Sequence, residues 1–314
     1  MMDVTEAPAG NWHQPVLYHE IINFLNPQPG GLYIDGTLGA GGHAWGILQT
    51  SSPDGRLLGL DLDPQALDLA AERLAPFAGR FQLVHASYTT LPEQLKASGW
   101  QQVQGIVLDL GVSSIQLDRP ERGFSFMVDA PLDMRFDPRN PVTAAHLVNT
   151  LDERALADLI FTFGEEHRSR QVARAIVQSR PLHTTRELAQ VIARATHSGR
   201  EGMHPATRSF QALRIAVNQE LESVAVVLPL AVKALAPGGR LAVIAFHSLE
   251  DRLVKHFFRQ ESQDCICPPR QPVCTCGHTA SIRQLTRRPV RPSELEVQRN
   301  PRSRSARLRV VEKI

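Results

Sequence analysis

The stretch that decides the fold of this chain is Asp35-Gly36-Thr37-Leu38-Gly39-Ala40-Gly41-Gly42-His43. It follows the apolar segment Leu32-Tyr33-Ile34, which predicts a buried strand, and it leads into a helix expected to start near Ala44. Glycines at a strand-to-helix turn let the backbone come close to a ligand. The loop lacks the G-x-G-x-x-G pattern of dinucleotide folds and holds no Lys to bind phosphates. An acid at its start instead suits a cationic ligand with ribose hydroxyls, such as S-adenosylmethionine.

Two further segments are predicted strands that carry an aspartate at or near their end. They are Arg56–Asp61 and Gly105–Leu110, and the strand Phe81–His85 is predicted between them, after a helix over Pro64–Leu74. Ligands bind at the carboxyl edge of open α/β sheets. One crevice is therefore expected to hold three carboxylates, those of Asp35, Asp61 and Asp109.

Two acids follow the second predicted strand, and they are assigned different tasks. In nucleotide-type α/β folds the acid at this position accepts hydrogen bonds from ribose hydroxyls, which assigns that task to Asp61. Asp63 precedes Pro64 and suits the N-cap of the following helix. The alternative is that both acids serve only the helix start. Acids on three successive strands favour binding by Asp61 and capping by Asp63.

The alternation of strands and helices is interrupted in the middle of the chain. It runs from residue 31 to about 116, and from 143 to 214 the pattern is helical. Strand character resumes at Gly239–Phe246, after the turn Pro237-Gly238, and again at Ala306–Val311. The sequence therefore predicts one α/β sheet that is interrupted by an all-helical insertion and completed afterwards.

Helix-start patterns support the helical assignment of the insertion. Thr150–Glu153 and Thr184–Glu187 both fit the capping box, in which Thr and Glu satisfy free amides reciprocally. A further long helix is expected to begin at His204-Pro205 and to bend at Pro229.

Size and composition exclude several classes of protein. With 314 residues and 42% apolar residues, the chain can bury a substantial core, and no segment is apolar enough to span a membrane. Met1–Gly10 carries acids and no apolar core, which is not typical of a secretory signal. The four cysteines lie in one short stretch and do not resemble an extracellular disulfide framework. A cytoplasmic protein is expected.

The net charge of +2 conceals an asymmetry along the chain. The segment Arg283–Arg309 holds nine arginines against Glu294 and Glu296, a balance of +7 that leaves about −5 for the remainder. A basic tail on a mildly acidic protein indicates a polyanionic partner, and arginine favours bidentate contacts with phosphate. The alternative is a solvated basic tail with no partner.

Asp109-Leu110-Gly111-Val112-Ser113-Ser114 leaves the fourth predicted strand where a methyl donor and its acceptor would meet. The lone pair of an exocyclic amine is delocalised into its ring, so the amine is a poor nucleophile. A carboxylate that accepts its N–H groups localises the lone pair and aligns it for displacement. Asp109 is a candidate for contact with the donor or with the base, and the alternative is an Asp that stabilises a turn.

Phe246-His247-Ser248-Leu249-Glu250-Asp251-Arg252 follows the later strand and is expected to face the same crevice. His247 is the candidate for substrate contact, although a packed, hydrogen-bonded histidine fits the pattern equally well. Ser248 with Asp251 resembles a helix start, which makes both residues candidates for a purely structural role.

Cys265-Ile266-Cys267 and Cys274-Thr275-Cys276 raise the question of a metal. The C-x-C spacing is tighter than that of common zinc sites. A structural metal and a reduced or redox-labile loop both fit these residues. No catalytic metal is expected, because methyl transfer needs no Lewis acid.

Motifs distributed over nearly the whole chain resemble the ribosomal RNA small subunit methyltransferase H family. Besides the loop at 35–43, Asp109 to Ser114 with Gln116, and Phe246 to Arg252, the resemblance rests on His13-Gln14-Pro15-Val16-Leu17, Arg122-Gly123-Phe124-Ser125-Phe126, Pro131-Leu132-Asp133-Met134-Arg135, His204-Pro205-Ala206-Thr207-Arg208 and Asn300-Pro301-Arg302-Ser303-Arg304-Ser305. It implies S-adenosylmethionine-dependent methylation of cytosine N4 at the decoding centre of bacterial 16S ribosomal RNA, within the small ribosomal subunit. The implied fold is a Rossmann-like class I methyltransferase sheet with a helical domain inserted.

The resemblance also implies which residues hold the cofactor: Gly41, Gly42, His43, Asp61, Tyr88, Asp109 and Gln116. Many relatives have Phe where Tyr88 stands, and either ring can cover an adenine face. The expected domains are the first part of the methyltransferase domain at 1–118, a helical substrate-recognition domain at 119–214, and the second part with the basic tail at 215–314. The sequence leaves the oligomeric state open between monomer and homodimer.

Two other classes of protein compete with this interpretation. A non-catalytic ribosome assembly factor could retain the fold, but it would have no need of a donor loop and three strand-end acids. A nicotinamide oxidoreductase would require the G-x-G-x-x-G turn that this chain lacks. The sequence therefore favours the enzyme, which would flip one cytosine into the cleft while basic residues contact the RNA backbone.

Overall fold

The computed structural model describes residues 15–196, 204–268, 271 and 273–314. His13, Gln14 and the amino-terminal segment Met1–Gly10, to which the sequence analysis assigned roles, lie outside the described residues. The chain divides into two compact units. The first comprises Met1–Gly111 with Leu221–Ile314, and the second comprises Val112–Glu220. The substrate-recognition role predicted for residues 119–214 stays a prediction.

The first unit is built on a single sheet. Its strands in the described residues are β1 (Leu32–Asp35), β2 (Arg56–Asp61), β3 (Phe81–His85), β4 (Val103–Asp109), β5 (Leu235–Ala245), β6 (Ile282–Gln284) and β7 (Arg307–Lys313). They are arranged in the order β3-β2-β1-β4-β5-β7-β6. The strands β1 to β5 are parallel, whereas β7 runs antiparallel to both β5 and β6. The Rossmann-like α/β sheet predicted from the sequence is confirmed.

Helices cover both faces of this sheet. They are α1 (Tyr18–Leu25), α2 (Gly42–Thr50), α3 (Pro64–Leu74), α4 (Leu91–Ala97), α11 (Glu220–Ala234), α12 (Ser248–Glu261) and α13 (Glu294–Arg299). The apolar residues of α1, α2 and α3 pack with Tyr33, Leu57 and Val107 on one face. Those of α4, α11 and α12 pack with Ile34, Leu58 and Ile106 on the other. Alternate residues of the strands therefore serve opposite faces, as a pleated strand requires.

The second unit is helical and has its own core. Its helices are α5 (Ser114–Leu117), α6 (Ala144–Thr150), α7 (Glu153–Gly164), α8 (Ser169–Gln178), α9 (Thr185–Thr196) and α10 (Thr207–Asn218). Apolar residues at helical spacing form this core, among them Leu156, Ile160, Val172, Ile176, Leu188, Ile192 and Leu213. The helical insertion indicated by the sequence pattern is therefore present.

Two predicted helix boundaries were wrong. Thr150 does not cap α7. It ends α6, and the carboxylate of Asp152 caps α7 by accepting a hydrogen bond from Ala155 N at 2.7 Å. The long helix expected from His204 is divided into two helices, and Pro229, where a bend was predicted, lies inside the second, α11. The first ends at Gln219, whose left-handed backbone (φ 50°) separates α10 from α11. The capping box at Thr184 and Glu187 is confirmed, with Thr184 N donating to Glu187 Oε2 at 3.0 Å and Glu187 N to Thr184 Oγ1 at 3.2 Å.

By length and composition, no single described helix could cross a membrane, although the bent pair Thr207–Asn218 with Glu220–Ala234 passes that test together.

Candidate active site

The three strand-end acids of the first unit lie at neighbouring positions of the sheet edge. Asp35 pairs in register with Gly59 of β2, and Gly36 N donates to Val107 O of β4 at 3.0 Å. On the two strands that flank β1, Asp61 lies two residues after Gly59 and Asp109 lies two residues after Val107. Because the side-chain period of a strand is two, all three acids belong to the sheet face that carries Tyr33, Leu57 and Val107.

The loop after β1 is fastened to the strands on both sides. Gly39 N donates to Asp61 Oδ2 at 2.8 Å, which connects the loop to β2. Thr37 Oγ1 accepts a hydrogen bond from Asp109 N at 2.6 Å, which connects it to β4. Thr37 N also donates to Asp35 Oδ1 at 3.2 Å. Thr37 is thus a site residue that was not predicted from the sequence, although it lies in the glycine-rich loop at 35–43.

At Gly41 and Gly42, other protein atoms lie close to the position that a side chain would occupy. Gly41 precedes α2 with φ +73°, and a Cβ there would lie 3.3 Å from Ala70 Cβ of α3. A Cβ on Gly42 would lie only 2.7 Å from Pro15 Cγ. Both positions therefore require glycine for packing, and Gly41 also for its backbone conformation. Because glycine has no side chain, the cofactor contacts predicted for these two residues would be made by backbone atoms.

Asp61 and Asp63 divide the tasks at the end of β2. Both oxygens of Asp61 accept backbone amides, Oδ2 from Gly39 N and Oδ1 from Asp63 N, each at 2.8 Å. Burial raises the pKa of Asp61 to about 6 against these hydrogen bonds. Asp63 caps α3 by accepting a hydrogen bond from Gln65 N at 3.1 Å. The predicted capping role of Asp63 is confirmed, and Asp61 is left at the mouth of the loop.

Asp35, Asp109 and Glu250 form a group of carboxyls at this edge. Burial raises the pKa of Asp35 to about 7, with the Asp61 carboxylate adding to the rise. The pKa of Asp109 is raised well above its ordinary value, first by burial and then by the carboxylates of Asp35 and Glu250. Asp35 Oδ2 and Asp109 Oδ1 are buried and accept no hydrogen bond in the described part of the chain. The site therefore has buried acceptors without donors among the described residues, and the repulsion between its carboxylates opposes their ionisation.

His43 is buried beneath this group. Its Nε2 lies 3.0 Å from Val16 O, and a carbonyl can only accept, so Nε2 carries the proton. Nδ1 of the neutral ring then presents a lone pair 3.9 Å from Asp109 Oδ2. Burial lowers the pKa of His43 to about 4. The contact with Asp109 is therefore not an ion pair near neutral pH.

His247 serves the start of α12, a task that the sequence analysis assigned to Ser248 and Asp251. Its Nδ1 accepts a hydrogen bond from Glu250 N at 3.4 Å, and Glu250 Oε2 accepts from Phe246 N at 2.9 Å. Its Nε2 lies 3.2 Å from Glu250 Oε1. Glu250 is only 1% exposed and was not identified from the sequence. A glutamate at the third helical position is typical of a capping box, and this was the available indication in the sequence. The helix start was assigned to Ser248 with Asp251 instead, one residue too late.

Asp251 is bound to the carboxyl-terminal strand. Its two oxygens accept hydrogen bonds from Arg307 at 2.9 Å and Arg309 at 2.7 Å. Arg283 pairs with Glu312 in the same way. Three of the nine arginines predicted to form a basic tail are therefore part of the sheet and its ion pairs. The other six are exposed and lie outside the strands: Arg287, Arg288, Arg291, Arg299, Arg302 and Arg304.

Tyr88 and Gln116 complete the set of predicted cofactor residues. Tyr88 begins a short 3₁₀ helix shortly after β3, at the same sheet edge. It lies close to the loop after β1, because a Cβ placed on Gly36 would be 3.3 Å from Tyr88 Cβ. Gln116 belongs to the second unit. Its Oε1 accepts a hydrogen bond from Ser113 N at 3.1 Å, which forms a capping box with Ser113. Six of the seven predicted cofactor residues thus lie in the first unit, and Gln116 has a structural task in the second.

Comparisons with known proteins identify the family. Two proteins named "Ribosomal RNA small subunit methyltransferase H" are 52% identical to this chain. The one from Thermomicrobium roseum aligns over 98% of this chain and 96% of its own length, and the one from Dehalococcoides mccartyi over 99% and 88%. Among solved structures, an rRNA methylase from Streptococcus thermophilus is similar with a TM-score of 0.43 and 10% identity, over 95% of this chain and 93% of that chain.

A family model described as "MraW methylase family" matches residues 10–314. This chain therefore belongs to the MraW methylase family, which confirms the family resemblance and the methyltransferase activity predicted from the sequence.

Proposed function

We propose that this protein transfers a methyl group from S-adenosylmethionine to N4 of one cytidine at the decoding centre of bacterial 16S ribosomal RNA. The names of the 52% identical relatives support ribosomal RNA of the small subunit as the substrate. Cytosine N4 as the acceptor rests on the family resemblance and on the chemistry of the acids at the sheet edge.

The observation that carries the proposal is the group of buried carboxyls in the first unit. A cationic adenosyl compound fits a site where two buried carboxyl oxygens, Asp35 Oδ2 and Asp109 Oδ1, have no donor in the described residues. Asp61 stands at the end of β2, where an acid accepts ribose hydroxyls. Tyr88 offers a ring for the adenine face. When bound, S-adenosylmethionine supplies a methyl group on a positively charged sulfur.

Asp109 is the residue proposed to act on the base. As a carboxylate it accepts an N–H of the exocyclic amine, which localises the nitrogen lone pair and fixes its direction. Its Oδ1 accepts no hydrogen bond from the described residues, and 24% of the side chain is exposed, so the carboxyl has acceptor capacity left for the amine. The raised pKa of Asp109 also suits it to receive the proton that nitrogen loses on methylation. A cation bound nearby favours the ionised form at the start of the reaction.

The remaining site residues support Asp109. His43 presents Nδ1 toward Asp109 Oδ2 and stays neutral, so it adds no charge to the acidic group. Thr37 fixes the position of the Asp109 backbone through the 2.6 Å hydrogen bond. His247 is proposed to contact the flipped base from the start of α12. Gln116 is proposed to contribute to cofactor binding from the second unit.

The RNA is proposed to be held by the second unit and by the exposed arginines. The six exposed arginines from Arg287 to Arg304, which lie outside the strands, supply the positive charge. A base that undergoes chemistry must leave its stack, and contacts with the flanking backbone stabilise that extruded state.

The test is nucleoside mass spectrometry of 16S ribosomal RNA from cells that lack this protein. We expect the N4-methylated cytidine to disappear and to return with the wild-type gene but not with Asp109→Ala. Asp68→Ala, a change at an exposed position of helix α3, is the control and should restore methylation. Unchanged methylation in the deletion would contradict the proposed function. A non-catalytic assembly factor predicts that Asp109→Ala restores whatever the deletion removes.

A further inference from the structure

The four cysteines of the chain converge on one point. They occupy the loop that connects α12 to β6, and their Sγ atoms all lie within 4.8 Å of one another. The Sγ–Sγ distances are 3.5 Å for Cys265 and Cys274, 3.6 Å for Cys274 and Cys276, 3.9 Å for Cys276 and Cys265, and 4.0 Å for Cys267 and Cys274. The thiols thus come from two C-x-C pairs that face each other across the loop.

These distances exclude disulfides and match a tetrahedral metal site. A disulfide requires sulfur atoms about 2.05 Å apart, and all four cysteines are free. Four sulfurs at about 2.3 Å from a central zinc ion form a tetrahedron whose edges are about 3.8 Å long. The observed distances, from 3.5 to 4.0 Å, surround that value.

Among its described residues, the loop has no apolar core that could hold this arrangement. None of the described residues between Ser262 and Ser281 is buried, so no apolar core orders them. Ile266 and Val273 are even exposed, at 41% and 71%. Loops of this length without secondary structure are uncommon in compact domains. Four thiols packed together without a core therefore call for a cross-link at their centre.

Backbone amides surround the sulfurs as they do in metal–thiolate sites. Ile266 N donates to Cys276 Sγ at 3.5 Å, Cys267 N to Cys265 Sγ at 3.4 Å, and Thr275 N to Cys267 Sγ at 3.5 Å. Such donors stabilise thiolates and orient the ligands around a metal.

We propose that Cys265, Cys267, Cys274 and Cys276 bind one structural Zn²⁺ ion as a four-thiolate site. Four thiolates fill the tetrahedral sphere of zinc and leave no position for water, so the site is closed to catalysis. His278 lies outside this group of converging ligand atoms, and its Nε2 lies 3.1 Å from Gln260 O. Each thiol that binds the ion loses its proton, and the protons go to solvent.

The zinc site fastens the end of α12 to β6. Hydrogen bonds already close the base of the loop, from Ser281 Oγ to Glu261 Oε2 at 2.8 Å and from Ala280 N to Asp264 Oδ1 at 3.2 Å. The zinc ion connects the two C-x-C pairs farther along the loop. Its loss is expected to loosen the loop without removing the sheet, because Phe258 and Ile282 anchor both sides in the apolar core.

The experiment is metal analysis of the full chain purified without a metal-affinity tag. We expect about one zinc ion per chain in the wild type and in His278→Ala, and less than about a tenth of that in Cys265→Ser/Cys274→Ser. Wild-type protein with no zinc, or with iron in its place, would overturn the proposal. Equal zinc content in the double cysteine variant would overturn it as well.

A second measurement covers the case in which the cysteine variant does not fold. A mercurial reagent is titrated into folded wild-type protein, and both blocked thiols and released zinc are followed. We expect zinc to leave in proportion as four thiols are blocked. Thiols that react fully while no zinc appears would contradict the site, as would a purified chain whose cysteines are already oxidised.

Discussion

At the residue scale, the pKa of Asp35 makes the charge of the site, and therefore its affinity for a cationic ligand, depend on pH. Below pH 7 this carboxyl is largely protonated, because burial raises its pKa to about 7, and above pH 7 it is ionised. A cationic ligand should therefore bind more tightly as the pH rises. We expect affinity for S-adenosylmethionine, measured by calorimetry, to increase about five- to tenfold from pH 6 to pH 8.

Neutral S-adenosylhomocysteine is the matched control for this pH dependence. It carries the same adenosyl and amino acid groups without the sulfonium charge, so its affinity should change much less. Asp35→Asn should remove most of the slope for the cationic ligand. An equal slope for both compounds would show that the Asp35 carboxyl does not sense the charge on sulfur.

His247 allows capping and substrate contact to be separated by substitution. His247→Ala removes the N-cap of α12 and should lower the free energy of unfolding by about 1 kcal/mol. His247→Asn retains a capping side chain and should unfold close to the wild type. Both variants should lose methyl transfer if the ring contacts the base. Full activity in His247→Asn would restrict this residue to its structural task.

At the scale of elements, the start of α2 depends on a glycine for two separable reasons. Gly41→Ala forces a side chain into a left-handed backbone and against Ala70, whereas Gly79→Ala meets the same backbone strain in open space. We expect the Gly79 variant to cost about 1 kcal/mol in denaturant unfolding and the Gly41 variant about twice that. Only Gly41→Ala should also weaken cofactor binding. Equal costs would show that contact with α3 is unimportant.

The ion pairs between α12 and β7 predict a sensitivity to acid. Hydrogen bonds from Arg309 and Arg307 hold the pKa of Asp251 below its ordinary value against the opposing effect of burial. The stability that this pair contributes is complete above pH 4 and is lost as the pH falls through the folded pKa. Asp251→Asn should therefore lower the thermal midpoint at pH 7 and lessen its decline in acid. A parallel pH profile for wild type and variant would contradict this.

The sequence predicted those elements whose local pattern agrees with their surroundings. The bounds of β2, β3 and α3 agree with prediction because alternation, the Asp63 cap and Pro64 all indicate the same structure. β6 was missed because Ile282–Gln284 is too short to show periodicity, and its pairing with β7 is a long-range contact. Glu250 was missed for a similar reason. Its burial depends on the packing of α12, which no local pattern reveals.

At the scale of the whole molecule, arginines in the last 32 residues serve two purposes. Some complete the sheet, and others are exposed outside the strands, where a polyanion can reach them. The segment with Arg287, Arg288 and Arg291 is held in place by a bridge between Val290 and Leu308. Replacing these three arginines with alanine should weaken RNA binding. It should also reduce the slope of log affinity against log salt concentration by about two. Affinity for S-adenosylmethionine should not change.

Arg56→Ala is the control for that experiment, because Arg56 is exposed at the start of β2, at the sheet edge opposite the acids. It should leave the salt dependence at the wild-type value. If the triple variant behaves like this control, the RNA does not contact the carboxyl-terminal arginines.

The most direct test of the central claim is methyl transfer by the purified protein. Small ribosomal subunits from cells that lack the protein are incubated with isotope-labelled S-adenosylmethionine, and the RNA is digested for mass spectrometry. We expect one labelled methyl group per subunit, on cytidine N4, with wild-type protein, and at least a hundredfold less with Asp109→Asn. A label on another atom or base, or undiminished transfer by the variant, would contradict the account.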